Sequence, residues 1–453
     1  MDTESEKFKS TCSIRVIFIL FGVASLLGWN ALLTELEFFN FFVEKMNPFV
    51  SFSFLNYGLN ILFQFLLVWK KDFIPLKTQL IGGIIGSIAF LILLPLFTII
   101  LERNSTINVI VTGGLVFLMG FINAICTAGF FNLVSHFPLE LIVALSAGQG
   151  FSGVSMNVIQ YIVLLTVKVD KNDPGTAYII RGWIFFISSS LILVVCLILL
   201  LINYNTEFFQ HFLNKSEKEI IEKTNLLELE AVQNEEEFHT NENSISEEKK
   251  SSSFQEFKYL FSKIWDLDIL MAYAYIVTFA LFPNASIRQN LFGLDNDYSS
   301  NTVIITYNLF DTIGRYLIEK IRPNKKLNMI VVLGRSILLF TLIFNYFCTV
   351  SLGWNGTLTS ILLILNVGLL AATSGMATTL GFGLGPNEVE GQYKGQVGTS
   401  LSFFIIVGIF LGACAGFGTD AIMDLAPNNL NNTNTTNTTN NTSYNETISF
   451  YDF

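Results

Sequence analysis

The stretch Tyr307-Asn308-Leu309-Phe310-Asp311-Thr312-Ile313-Gly314-Arg315 carries the clearest chemistry in this sequence. On a helix, Asn308, Asp311 and Arg315 fall within about 60° of one another and form one polar stripe on an otherwise apolar face. Asp311 precedes Arg315 by four residues, the order that favours an ion pair. Such a pair accepts from and donates to the hydroxyls of a polar solute through charge-assisted hydrogen bonds. No histidine stands beside it, so the pair either lines a substrate pathway or is a structural pair that locks this helix to its neighbours. Weaker polar signals are Trp29-Asn30, Arg335, and Asn56 with Asn60 at a four-residue spacing. The three histidines stand apart, and Cys126, Cys196, Cys348 and Cys414 sit singly in apolar runs. No metal site and no cofactor are expected.

The elements that must hold these residues are set by composition. The chain of 453 residues is 51% hydrophobic and 14% charged, against about 25% charged in soluble domains. Apolar runs of 20 or more residues recur, each able to cross about 30 Å of hydrocarbon. This excludes a soluble enzyme, a disordered chain and a secreted disulfide scaffold. No Walker motif, catalytic triad, HExxH or dinucleotide fingerprint occurs, so neither ATP use nor enzymatic activity is expected. Without a basic stripe, nucleic-acid binding is not expected either.

Hydropathy predicts eleven membrane helices near 14–36, 49–69, 79–101, 108–131, 141–166, 178–203, 264–285, 299–320, 328–350, 358–384 and 393–420. The first is too long for a signal peptide, and Gly28-Trp29-Asn30 stands where a cleavage site would lie. Lys and Arg clusters at Lys70-Lys71, Lys77 and Lys320-Arg322-Lys325-Lys326 place the N-terminus in the cytoplasm and, with an odd number of spans, the C-terminus outside. An ionised group at mid-membrane costs at least about 2.5–3.5 kcal/mol, so Asp311 and Arg315 should face a bundle interior or an aqueous cavity.

The expected organisation is a cytoplasmic tail 1–13, six spans over 14–203, a cytoplasmic loop 204–263, five spans over 264–420 and an outside tail 421–453. The loop is rich in Glu, Lys, Ser and Asn and too polar to fold alone, apart from a helical piece near Lys215–Gln233. A six-plus-five division suits a carrier whose two bundles rock about a central site. In the tail, Asn431, Asn434, Asn437, Asn440, Asn441 and Asn445 each begin an N-x-[ST] glycosylation acceptor, as do Asn104 and Asn355 in loops expected outside.

The chain resembles the equilibrative nucleoside transporters over nearly its whole length. The matches are GWN at 28–30, SAGQGFSG at 146–153, Phe282-Pro283, NLFDTIGR at 308–315, LGRSILLFTLIFN at 333–345 and TSGMATTLGFGLGPNEV at 373–389. The resemblance implies an all-α, major-facilitator-like fold of two bundles, and facilitated diffusion of nucleosides, in some members nucleobases, by alternating access. It implies a substrate site of Trp29, Asn30 and Leu33 on the first span, Thr127 where some members have glutamine, Phe282, and Asn308, Asp311 and Arg315. It also implies a gating role for Arg335, with Glu388 or Glu390 as its acidic partner.

Physically, Trp29 and Phe282 can pack on a base while Asp311 and Arg315 hold ribose hydroxyls. The expected partners are therefore a nucleoside or nucleobase and the lipid bilayer, the plasma membrane foremost. Two other readings are a carrier of another neutral solute such as a sugar, and a glycosylated membrane receptor without flux.

Overall fold

The computed structural model describes residues 12–70, 73–168, 173–214, 253–289, 291–294, 296–321 and 323–425. The tail acceptors from Asn431 to Asn445 and the helical piece near Lys215–Gln233 lie outside the described residues.

The apolar runs fold into eleven long helices: α1 Cys12–Thr34, α2 Pro48–Trp69, α3 Leu76–Ile100, α4 Thr106–Val134, α5 Leu139–Thr166, α6 Pro174–Asn203, α7 Ser253–Leu281, α8 Asn296–Leu317, α9 Lys325–Val350, α10 Gly356–Leu384 and α11 Lys394–Asp424. Ten are both long and apolar enough to cross a membrane. The exception, α8, has 22 residues, about 33 Å at 1.5 Å per residue. It is long enough, and falls short only in hydropathy because it carries Asn301, Asn308, Asp311 and Arg315.

Most helix ends fall within four residues of the hydropathy reading, and two departures are larger. Helix α7 starts eleven residues early, at Ser253 rather than 264. The added turns carry Phe257 and Leu260, and the Phe257 ring lies parallel to Trp69 at 6.3 Å, so an apolar face is packed despite the surrounding charge. Helix α9 is interrupted at Arg335-Ser336 between Lys325–Gly334 and Ile337–Val350. There the Arg335 guanidinium donates to Thr278 Oγ1 at 2.6 Å and to the Leu370 carbonyl at 2.9 Å.

Helices α1–α6 pack together, α7–α11 pack together, and the halves meet where α8 crosses α5 and where α11 lies on α2 and α4. Glycine brings the backbones close. A Cβ on Gly22 of α1 would strike the Leu145 carbonyl of α5, and one on Gly148 of α5 would strike the Ile19 carbonyl. The second half repeats this device: Gly314 of α8 meets the Ala372 carbonyl, and Gly375 of α10 meets the Asp311 carbonyl.

At the end where α1 begins and α8 finishes, the halves are joined. Arg15 donates to Glu140 of the first half and Glu319 of the second, each at 2.6 Å. Phe131 of α4 and Phe382 of α10 stack at 3.6 Å, both buried. The Cβ atoms missing from Gly395 and Gly398 make room for Asn132, the Phe131 carbonyl and Ser135. Toward the opposite end the halves separate around a cavity.

Candidate functional site

The cavity has a volume of about 260 Å³, near the lower end of the ~300–1,000 Å³ typical of small-molecule sites. Its floor is the stripe on α8. Arg315 Nε donates to Asp311 Oδ2 at 2.7 Å, and both side chains are almost fully buried. The remaining reach of the guanidinium goes to α5 in the other half: Nη1 donates to the Ser146 carbonyl, Ser146 Oγ and Gln149 Oε1 at 3.0–3.2 Å. One arginine thus ties an acid of its own bundle to polar atoms of the opposite one.

Two aromatic pairs form the walls. Trp29 packs on Tyr57 with centroids 5.0 Å apart. Phe282 stacks on Tyr307 at 4.0 Å and 12°, placing a flat surface on the second half. Between the walls lie amides and hydroxyls. Asn30 Nδ2 donates to Ser152 Oγ at 2.6 Å, Thr127 Oγ1 donates to the Ser25 carbonyl at 3.2 Å, and Asn123 Nδ2 donates to Asn56 Oδ1 at 3.3 Å. The rim is Glu37, Ser300 and Asn301, where α1 has ended and α8 begins, at the end remote from Arg15.

All eight residues expected to bind substrate line this one cavity: Trp29, Asn30, Leu33, Thr127, Phe282, Asn308, Asp311 and Arg315. They come from α1, α4, α8 and the turn that follows α7. Asn308 sits against Gly153, where a Cβ would collide with its amide. Of the expected gating residues, Arg335 does not line the cavity. It is buried behind α8, within electrostatic reach of Asp311 and Tyr307. Its hydrogen bonds go to Thr278 and Leu370. The expected acid partners are elsewhere: Glu388 bridges Lys325 at 3.0 Å, and Glu390 accepts from Gln392 at 3.3 Å.

Sequence reasoning did not single out the Arg15–Glu140–Glu319 bridge, whose members lie 125 and 304 residues apart. It also passed over Asn123, Gln160 and Tyr275, isolated polar residues in long apolar runs that carry no spacing signal. Asn56 and Asn60 were legible through their four-residue spacing, and both line the cavity.

Comparison with known proteins agrees with this geometry. A family model described as "Nucleoside transporter" matches residues 113–420. The chain is 23% identical over 418 residues to "Equilibrative nucleotide transporter 4" of Arabidopsis thaliana, covering 91% of this chain and 95% of that protein. It is 22% identical over 352 residues to "Equilibrative nucleoside transporter 1" of Mus musculus, covering 74% and 75%. Among solved structures, the major facilitator superfamily proton:xylose symporter XylE superposes with a TM-score of 0.59 at 11% identity, over 91% of this chain and 95% of that one. The E. coli fucose:proton symporter FucP does so with a TM-score of 0.53 at 14% identity, over 90% and 91%. These two likenesses establish the major-facilitator fold.

Proposed function

The chain belongs to the nucleoside transporter family, and from that premise we propose that it carries nucleosides, and nucleobases in the same site, down their gradients across a membrane by alternating access. The observation that carries this reading is convergence. Residues from four elements, up to 286 positions apart (Trp29 to Arg315), line one cavity at the seam between two helical halves. A flat base fits between Trp29–Tyr57 and Phe282–Tyr307, because aromatic faces favour offset stacking and exclude water. Ribose hydroxyls would donate to Asp311 and accept from Arg315, replacing part of the hydration that the buried pair has lost.

Charge argues against phosphorylated cargo. The acidic and basic side chains that line the cavity are Glu37, Asp311 and Arg315, which together offer no net positive charge to a phosphate. The Lys/Arg distribution supports a cytoplasmic location for the Arg15 end, which makes this arrangement outward-facing. Inward opening would break Arg15 from Glu319 and part Phe131 from Phe382, while α5 and α8 pivot about Arg315. By the same reading residues 204–263 are cytoplasmic and residues 421–453 lie outside. The protein is a multi-pass membrane protein, and we assign it to the plasma membrane on its acceptor-rich tail.

The test is uptake by purified protein in liposomes of labelled adenosine, uridine, hypoxanthine and glucose. Saturable adenosine or uridine uptake that stops at equal concentrations on both sides is the expected result. Preference for glucose would make it a sugar carrier. Binding without flux would make it a receptor.

A further inference from the structure

The floor of the cavity accounts for a ribose, but a stacked base also has an edge, and the structure holds an unused pair of amides that matches one. Asn56 of α2 and Asn123 of α4 both line the cavity, on the half opposite Asp311 and Arg315. Asn56 is 1% exposed and Asn123 8%. A carboxamide offers two N–H donors and one carbonyl acceptor. Asn123 Nδ2 spends a donor on Asn56 Oδ1 at 3.3 Å, and this leaves Asn56 Nδ2 buried with no partner. The pair therefore holds the unused donors of Asn56 just under the cavity surface, beside the carboxamide of Asn123.

A purely structural pair tying α2 to α4 gains nothing from the unmet donor, which is costly when buried, and most of the other buried amides with an unmet atom, such as Gln79, Asn157 and Asn328, do not line the cavity. The tie is also redundant. Gly120 already lets α4 approach the Asn56 carbonyl more closely than any other residue would allow. Thr127, one turn further along α4, cannot take this role with its proton, because its hydroxyl donates within the first half to Ser25.

We propose that Asn56 and Asn123 form the base-edge site of the transporter, bonding a planar edge that carries one donor and one acceptor. Such edges are the amide N–H and C=O of hypoxanthine or uracil and the amino group and ring nitrogen of adenine or cytosine. A paired donor and acceptor on asparagine is the geometry by which this side chain recognises bases. This inference rests on the nucleoside reading and extends it. With the ribose on α8 and the base edge on α2 and α4, a bound nucleoside would touch both halves at once. A flat solute lacking the edge would keep the aromatic walls but make no base hydrogen bond to the first half.

The experiment uses the full chain in liposomes and two probes, inosine and benzimidazole riboside. The second keeps the ribose and a flat bicyclic base but has no N–H or C=O on its six-membered ring. Wild-type protein should favour inosine by about tenfold or more in half-saturation. Asn56→Leu and Asn123→Leu should each erase most of that preference by raising the half-saturation for inosine, with benzimidazole riboside uptake within about twofold of wild type. Where a leucine variant fails to reach the membrane, Asn56→Ser or Asn123→Ser replaces it and should show the same loss. Retained preference in these variants, or parallel loss of both probes by folded variants, would overturn the base-edge assignment while leaving nucleoside transport standing. Wild-type protein that carried neither probe would overturn the nucleoside reading and this inference with it.

Discussion

Neutralising Asp311 separates a substrate role for the α8 stripe from a structural one. In Asp311→Asn, Arg315 keeps its bonds to Ser146 and Gln149 at 3.0–3.2 Å but loses the carboxylate 2.7 Å from its Nε. A guanidinium this deeply buried is then uncompensated, at a cost of about 3–5 kcal/mol. At ~1.4 kcal/mol per factor of ten, that is a loss of roughly 10²–10⁴-fold in the ratio of folded to unfolded protein, and the protein that folds has no carboxylate for the ribose, so its flux should fall to background. Arg315→Leu should cost as much, leaving the acid buried and α8 unlinked from α5. Arg315→Lys keeps the charge but cannot fork between Asp311 and two residues of the other half, and should fall between wild type and Arg315→Leu. The deciding variant is the double change Asp311→Leu with Arg315→Leu. Replacing a buried ion pair by apolar side chains is often neutral or stabilising, so this protein should fold and reach its membrane. It should nonetheless fail to transport, because nothing is left to meet the ribose. Uridine and adenosine uptake would be measured in liposomes at matched protein amounts. Normal uptake by the double variant would mean that the pair only locks helices, and the substrate role would be wrong.

Gly153→Ala should abolish flux, because its methyl would enter the space of the Asn308 amide, whereas Gly58→Ala, with open space around the site, should transport normally; equal uptake by both would contradict the packing at the α5–α8 seam. Arg15→Ala should favour the inward-opening state by about 1 kcal/mol or less, since only its bridge to Glu319 crosses the halves, Arg15 is 35% exposed and such pairs are weak. It should show as faster modification, from the cytoplasmic side, of a cysteine introduced at Phe382 in a cysteine-free background. Unchanged modification would remove Arg15 from the closure. An epitope tag after Phe453 should stain unpermeabilised cells that display the protein at their surface. Staining only after permeabilisation would reverse the assigned topology.

The sequence made the helices legible because membrane insertion demands long apolar runs, and composition announces these directly. It also exposed Asp311 and Arg315, since charge in such a run has no cheap explanation. The resemblance supplied Leu33, Thr127 and Phe282, which no local pattern marks. The closure escaped notice because Arg15 and Glu319 sit at or just beyond helix ends, where charge is ordinary, and only the meeting of the two folded halves makes them partners. Arg335 shows the opposite failure. An acid was expected beside it from the GPNEVEG stretch, yet the break in α9 turns it toward the Thr278 hydroxyl and a carbonyl, and Glu388 is left to Lys325. The early start of α7 was hidden for a related reason. Its charged residues lower the hydropathy, while Phe257 finds an aromatic surface on Trp69 that no one-dimensional window can see.

The contacts that close one end of the molecule also set how the two faces of the membrane would experience it. If Arg15 and the Phe131–Phe382 stack favour one orientation of the empty carrier, a solute on the opposite face meets a competent site only in the minor fraction of molecules. Its apparent dissociation constant is then raised by that fraction, tenfold for each ~1.4 kcal/mol of bias. A passive carrier cannot convert such a bias into accumulation. With equal concentrations on both sides the opposing fluxes must cancel, so the ratio of maximal rate to half-saturation is the same in each direction. The face with the weaker apparent affinity must therefore show the proportionally higher maximal rate, and the closure exchanges affinity for speed between entry and exit.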